Sequence, residues 1–188
     1  MTPFFAEERK LPLERAPGTL ELPTDWKIMR FLCDEMLVRL TRLLRAAGYD
    51  TYLAEGGQPD ADLVKLARRE DRILVTRDKR LAASFEESVL VAGWGVNAEA
   101  HSLSRAVVLD WEYAPFTRCV MDNAHLRDAT EDELSRFPNR TRRLGGPFRT
   151  CPACRRDYWP GSHLRRMEAT LHGLARDAAQ DAPMPPQA

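Results

Sequence analysis

Ile28-Met29-Arg30-Phe31-Leu32-Cys33-Asp34, then Met36-Leu37-Val38-Arg39-Leu40-Thr41-Arg42-Leu43-Leu44, then Gly48-Tyr49-Asp50-Thr51-Tyr52-Leu53, is the stretch that decides the fold. The first run is short, apolar and ends on an acid, which predicts a buried strand. Met36, Leu37, Leu40, Leu43 and Leu44 recur with helical spacing. Gly48 stands where a helix C-terminus favours a left-handed residue. Residues 50–53 then predict a second strand. A strand, a helix and another strand in so short a span predict a parallel pair.

The alternation continues. Glu55-Gly56-Gly57-Gln58-Pro59 is a turn-rich loop. Asp60 is placed to cap a helix running to about Arg69, with Leu63, Leu66 and Ala67 on its inner face. Arg72-Ile73-Leu74-Val75-Thr76 predicts a third strand, Leu81-Ala82-Ala83 a short helix, and Ser88-Val89-Leu90-Val91-Ala92 a fourth strand. The class is α/β, a parallel sheet flanked by helices. There is no internal repeat.

The chain has 188 residues, 44% of them apolar, enough for one core and a small appendage. Lys+Arg and Asp+Glu both total 28, so only the local distribution of charge can point to a partner. No apolar run approaches the roughly 18 residues of a membrane span, and residues 1–8 lack the pattern of a secretory signal. Four cysteines are too few for a disulfide scaffold. Three lie in a metal-like arrangement, which fits a reducing cytoplasm.

Asp34 follows the first strand, Asp78 follows the third after Thr76-Arg77, and Asp60 opens the intervening helix. Residues just past the C-terminal ends of parallel strands gather along one edge, where ligands bind. Clustered carboxylates stay ionised around a cation, and Mg²⁺ or Mn²⁺ suits such hard oxygen donors. A divalent ion there can activate water and stabilise the leaving oxygen of a phosphodiester, which gives a nuclease reading. The competing reading makes all three acids helix caps. Glu35 and Asp62 compete for the same roles.

Cys151-Pro152-Ala153-Cys154 is a CxxC knuckle, and Cys119-Val120-Met121-Asp122 repeats its spacing with a carboxylate in the fourth place. Two such pairs are the pattern of a structural zinc site, in which a carboxylate oxygen is an acceptable ligand. The second knuckle lies between glycine-rich and Tyr158-Trp159-Pro160-Gly161 segments, which suits a β-turn better than a redox motif at a helix start. His125 and His163 rival Asp122 as the fourth ligand. Cys33 falls inside the first strand as a small buried side chain.

Residues 136–168 hold nine arginines and only two acids, Asp157 and Glu168, with Phe148, Tyr158 and Trp159 interleaved. Arginine with aromatics can grip phosphates and stack on unpaired bases. Arg142, Arg143, Arg155, Arg156 and Trp159 are the candidates here, with Arg77 beside Asp78. The alternative pairs these arginines with the acidic stretch from Asp128 to Glu133.

Phe31-Leu32-Cys33-Asp34-Glu35-Met36-Leu37, Leu40 to Thr51 and Arg72-Ile73-Leu74-Val75-Thr76-Arg77-Asp78 together resemble the Mut-seven C-terminal RNase domain. Phe116-Thr117-Arg118-Cys119, Cys151 to Cys154 and Tyr158 to His163 are similar to its zinc ribbon. The resemblance runs from about Lys27 to Leu171. It implies a PIN-like fold and a Mg²⁺- or Mn²⁺-dependent ribonuclease acting on RNA, with the acidic site on Asp34, Asp60 and Asp78. Asp122 departs from it, because the family's ribbon usually has a cysteine there. Asp110 is a candidate fourth acid.

The expected organisation is an N-terminal arm (1–26), a PIN-like domain (27–112), a zinc ribbon (113–175) and a disordered tail (176–188). The expected protein is a cytoplasmic ribonuclease with structural Zn²⁺. Its rivals are a non-catalytic RNA-binding zinc-ribbon protein, a nuclease held by an antitoxin-like protein partner, and an interaction scaffold.

Overall fold

A computed structural model describes residues 29–143 and 145–181; the expected arm (1–26) and residues 182–188 lie outside them. Four strands, β1 (Arg30–Cys33), β2 (Asp50–Leu53), β3 (Ile73–Thr76) and β4 (Ser88–Leu90), form one sheet. All pairings are parallel, in the order β2-β1-β3-β4. The connecting helices are α1 (Val38–Ala47), α2 (Asp60–Glu70) and α3 (Lys79–Ala83), with α4 (Val96–Ala106) after the last strand. This is the expected α/β class; β2 has its expected limits, and the other three strands start or end a residue or two inside theirs.

Strand period two divides the core into two layers. Phe31, Cys33, Ile73, Val75 and Val89 point into the larger one, with Leu40, Leu44, Ala100 and Leu103 from α1 and α4. Leu32 and Leu74 point the other way, onto Leu63, Ala67, Leu81 and Phe85. Both faces are covered, so the strands carry runs of apolar residues instead of alternation. Gly48 closes α1 at φ 104°, and a Cβ there would lie 2.5 Å from the Ala114 carbonyl oxygen. The expected C-cap is thus also a close backbone approach.

Three features differ from expectation. Asp60 is not the cap of α2; Pro59 holds that place and Asp60 lies in the first turn. Helix α4 was not anticipated. Residues 162–181 form one long helix, α7 (Ser162–Asp181), which packs on α1 and α4. The expected tail is therefore helical through Asp181. Leu164, Leu171 and Leu174 of α7 share the larger core with Cys119, Cys151 and Tyr158, so one apolar interior runs across residue 112.

Between α4 and α7 lies a small antiparallel sheet of β5 (Arg127–Asp128), β6 (Arg149–Thr150) and β7 (Asp157–Tyr158). Two single-turn helices, α5 (Glu131–Leu134) and α6 (Asn139–Arg142), fill the connection from β5 to β6. Among the described residues no helix is long and apolar enough to cross a membrane.

Candidate active-site edge and metal centre

Strand order 2-1-3-4 puts a topological switch point between β1 and β3, since the chain leaves β1 toward β2 and returns beyond it to β3. Ligands of open α/β sheets bind outside the carboxyl ends of strands at such a point. Asp34 and Asp78 flank it. The Thr76 hydroxyl donates to Asp34 Oδ2 (2.8 Å) and accepts from the Asp78 amide (2.9 Å), so one side chain ties the two acids together. Asp34 Oδ1 accepts from the Glu35 amide, and Asp78 Oδ1 from the amides of Arg80 and Leu81. Both acids are thus caps as well as edge carboxylates.

Asp60 is exposed on the same edge, in the first turn of α2. The three acids do not converge into a compact ligand cluster; among the described residues only the cysteine group does so. Glu35 accepts from the Gly57 amide across the edge, while Asp62 pairs with Lys65. Asp110 accepts from the Glu112 amide, and its backbone carbonyl and amide both bond the Tyr49 hydroxyl. Tyr49 precedes β2, so Asp110 lies at the opposite, N-terminal end of the sheet and is removed from the acidic site.

The ligand atoms of Cys119, Asp122, Cys151 and Cys154 all lie within 4.8 Å of one another. Two turns of matching construction bring them together. The Cys119 amide bonds the Ala124 carbonyl and the Asn123 amide bonds the Cys119 carbonyl; Cys151 does the same with Arg156 and Arg155. Asn123 and Arg155 both take positive φ, 71° and 58°. The Cys119 and Cys154 sulfurs are 3.7 Å apart. A tetrahedral zinc with Zn–S near 2.3 Å sets its sulfurs about 3.8 Å apart, so these donors fit zinc. Neither His125 nor His163 belongs to the group.

Burial pushes the Cys151 thiol up to about 12, and Asp122 adds to this as it accepts the thiol hydrogen bond at 3.2 Å. Burial alone would raise Asp122, but hydrogen bonds from Cys154, the Ala124 amide and Cys151 outweigh it and hold the carboxyl at about 2. A metal bound here displaces thiol protons. The Tyr158 hydroxyl, 3.1 Å from Cys119 Sγ, accepts from the Val120 amide and supports the cysteine from behind.

The arginines divide. Arg136 pairs with Asp157 and Glu133, Arg127 with Glu133, and Arg149 lies 3.7 Å from Asp128. Arg142, Arg143, Arg155 and Arg156 are exposed. Trp159 is half-buried against Phe137. It and Arg156 line a cavity of about 740 Å³ between α1, the start of α4, the cysteine turns and α7. Arg166 of the arginine-rich stretch lines it too, together with Arg39 and Arg42 of α1, which lie outside that stretch. Helical spacing of the α1 pair, at i and i+3, was the available signal.

No curated protein and no solved structure matches the chain. The Mut7-C RNAse domain description matches residues 29–171, a span that holds the sheet, the switch-point acids, both cysteine turns and the first half of α7, and the chain belongs to that family.

Proposed function

We propose that this protein is a divalent-metal-dependent ribonuclease that hydrolyses RNA phosphodiester bonds at the C-terminal edge of its sheet. The reading is carried by Asp34 and Asp78, joined through Thr76 across the switch point. Mg²⁺ keeps several waters and binds through one or two carboxylates, so a pair of hard oxygen donors suits it without a closed cage. Asp34 and Asp78 would hold the ion, and Asp60 would add negative charge to the same edge from α2. A bound Mg²⁺ or Mn²⁺ supplies charge neutralisation at the phosphodiester and a nucleophile at neutral pH. The chain's own part is orientation: Thr76 fixes Asp34, and two α3 amides fix Asp78.

Arg77, Arg142, Arg143, Arg155, Arg156 and Trp159, with the arginine-lined cavity, would hold the strand. The four-donor cysteine group would carry a structural zinc and make residues 113–175, which include the first part of α7, a zinc ribbon.

Asp34→Asn tests the mechanism, because the amide keeps the shape and loses the charge. Cleavage of single-stranded RNA should vanish while binding and thermal stability stay. Unimpaired cleavage refutes it. A non-catalytic RNA-binding module is the second reading, favoured by the cap role that both acids already fill. Mn²⁺ titration separates them: weakened Mn²⁺ binding in Asp78→Asn supports the enzyme, and no Mn²⁺ binding by the wild type supports the module.

A further inference from the structure

Trp94 is 91% exposed, far more than any other large apolar side chain among the described residues. Isolated exposed leucines or valines need no explanation, but an indole carries much apolar area and its exposure invites one. The loop that presents it is not loose. The Val91 amide bonds the Thr76 carbonyl, and the Ala92 amide bonds the Ser102 hydroxyl. Gly93 and Gly95 flank the indole at φ 103° and 89°, and a Cβ on Gly93 would lie 2.6 Å from Ala98 Cβ. Two left-handed glycines therefore press the backbone onto α4 and leave one side chain standing out.

One face of that ring is braced. The Arg77 guanidinium sits 5.3 Å from its centroid, within cation–π range. Arg77 in turn lies 3.7 Å from Glu99, whose side chain is only 8% exposed. A buried carboxylate needs a partner, and Arg77 supplies it while covering the indole. Glu99, Arg77 and Trp94 thus form a stack from the core outward. The loop follows β4, the neighbour of β3, and Arg77 adjoins Asp78. The platform and the acids share one edge of the sheet.

We propose that Trp94 is a stacking platform for one nucleobase of single-stranded RNA, which seats the adjoining phosphodiester at Asp34 and Asp78. This rests on the ribonuclease reading. Bases in a duplex are stacked already, so the site selects an unpaired nucleotide, and every base has a face to offer. Arg77 adds a cation beside two carboxylates that would otherwise repel the phosphate. Trp94 and Arg77 are positioning residues in this scheme.

The test uses the full chain and a short unstructured oligoribonucleotide, with binding followed by anisotropy in the Asp34→Asn background. Trp94→Ala should weaken binding about tenfold, and Trp94→Phe should restore most of it, as stacking predicts. One abasic position in the RNA should cost the Trp94 protein the same factor and cost Trp94→Ala nothing. In active protein, KM should rise about tenfold with kcat within about twofold, since stacking binds ground and transition states alike. Thermal stability should fall only slightly, since Arg77 is the group set against the exposed indole. RNA bound equally by Trp94→Ala, or an abasic penalty that survives the substitution, overturns the platform alone. Absence of any RNA binding or cleavage by the wild type overturns the ribonuclease reading and the platform together.

Discussion

Arg45→Met should destabilise the protein and loosen the candidate metal centre together. Arg45 is 6% exposed on α1. Its Nε donates to the Thr51 carbonyl at 2.9 Å, and Nη1 donates to those of Val120 (3.3 Å) and Met121 (2.6 Å). Burial lowers the guanidinium's pKa, and Cys33, Cys119, Asp122 and Asp50 oppose this, leaving the group charged. One side chain therefore holds β2 and both residues between the candidate ligands Cys119 and Asp122.

A bond from a charged donor is worth about 1.5–3 kcal/mol. The contact to Val120 is long, methionine recovers the packing of the stem, and losing a buried charge offsets part of the rest. The expected net loss is about 3–4 kcal/mol, against a typical total of about 5–15. At about 2–4 °C per kcal/mol, the melting temperature should fall by about 6–16 °C. Urea unfolding of zinc-loaded protein measures the loss, and chelator competition should show zinc held about tenfold more weakly, as for other outer-sphere partners. Arg45→Lys should recover less than about half, because a compact ammonium cannot span three carbonyls. A loss under about 1 kcal/mol, or full rescue by lysine, refutes the clamp.

Two further outcomes follow from the same region. Asp122→Cys should tighten zinc binding by supplying a fourth thiolate, while Asp122→Ala should weaken it by removing the carboxylate; titration with a chromophoric chelator reads both, and equal affinities would place the fourth ligand elsewhere. Burial raises the Asp50 carboxyl, but hydrogen bonds from Arg72 and Asn123 outweigh it and leave it below its usual range. A carboxyl depressed in the folded state contributes stability above its unfolded pKa of about 3.9 and loses it as pH falls through the folded value. Asp50→Asn should therefore cost about 1–2 kcal/mol near neutral pH, and the deficit in denaturant midpoint should shrink as pH drops below the ordinary carboxylate range.

The strands were legible because a doubly covered sheet leaves apolar runs, and Gly48 because a left-handed cap favours glycine. The repeated spacing of Cys119-x-x-Asp122 and Cys151-x-x-Cys154 pointed to the four donors that the fold brings together, while leaving His125 and His163 open beside Asp122. Helix α4 was hidden by its polar face of Asn97, His101, Ser102 and Ser104 behind a Gly-Trp-Gly turn. In α7, Leu164, Met167, Leu171 and Leu174 do recur with helical spacing, but the arginines among them suggested a nucleic-acid surface first. Thr76 carried no signal at all: a hydroxyl that bridges two acids looks like any strand threonine. Arg45 did carry one, standing eight residues past Leu37 and four past Thr41 on the buried stripe of α1.

The same clamp explains how an exposed sheet edge is closed. β2 is an outer strand, and Thr51 turns its amide and carbonyl away from β1, toward what would be open solvent. An unpaired edge is a template for association. Here the Thr51 carbonyl takes Arg45 and its amide donates to Asn123 Oδ1 at 3.0 Å. Asn123 Nδ2 then bonds Asp50, and Arg118 bonds the carbonyls of Gly48 and Asn123. Asn123 is the left-handed residue of the first cysteine turn, so the conformation that shapes the metal site also aims the amide that completes the strand. Loss of metal would free that turn and uncover Thr51. The cysteine group is on this account a lock on the sheet that bears Asp34 and Asp78, and chelation should expose the β2 amides to hydrogen exchange before those of β1 or β3.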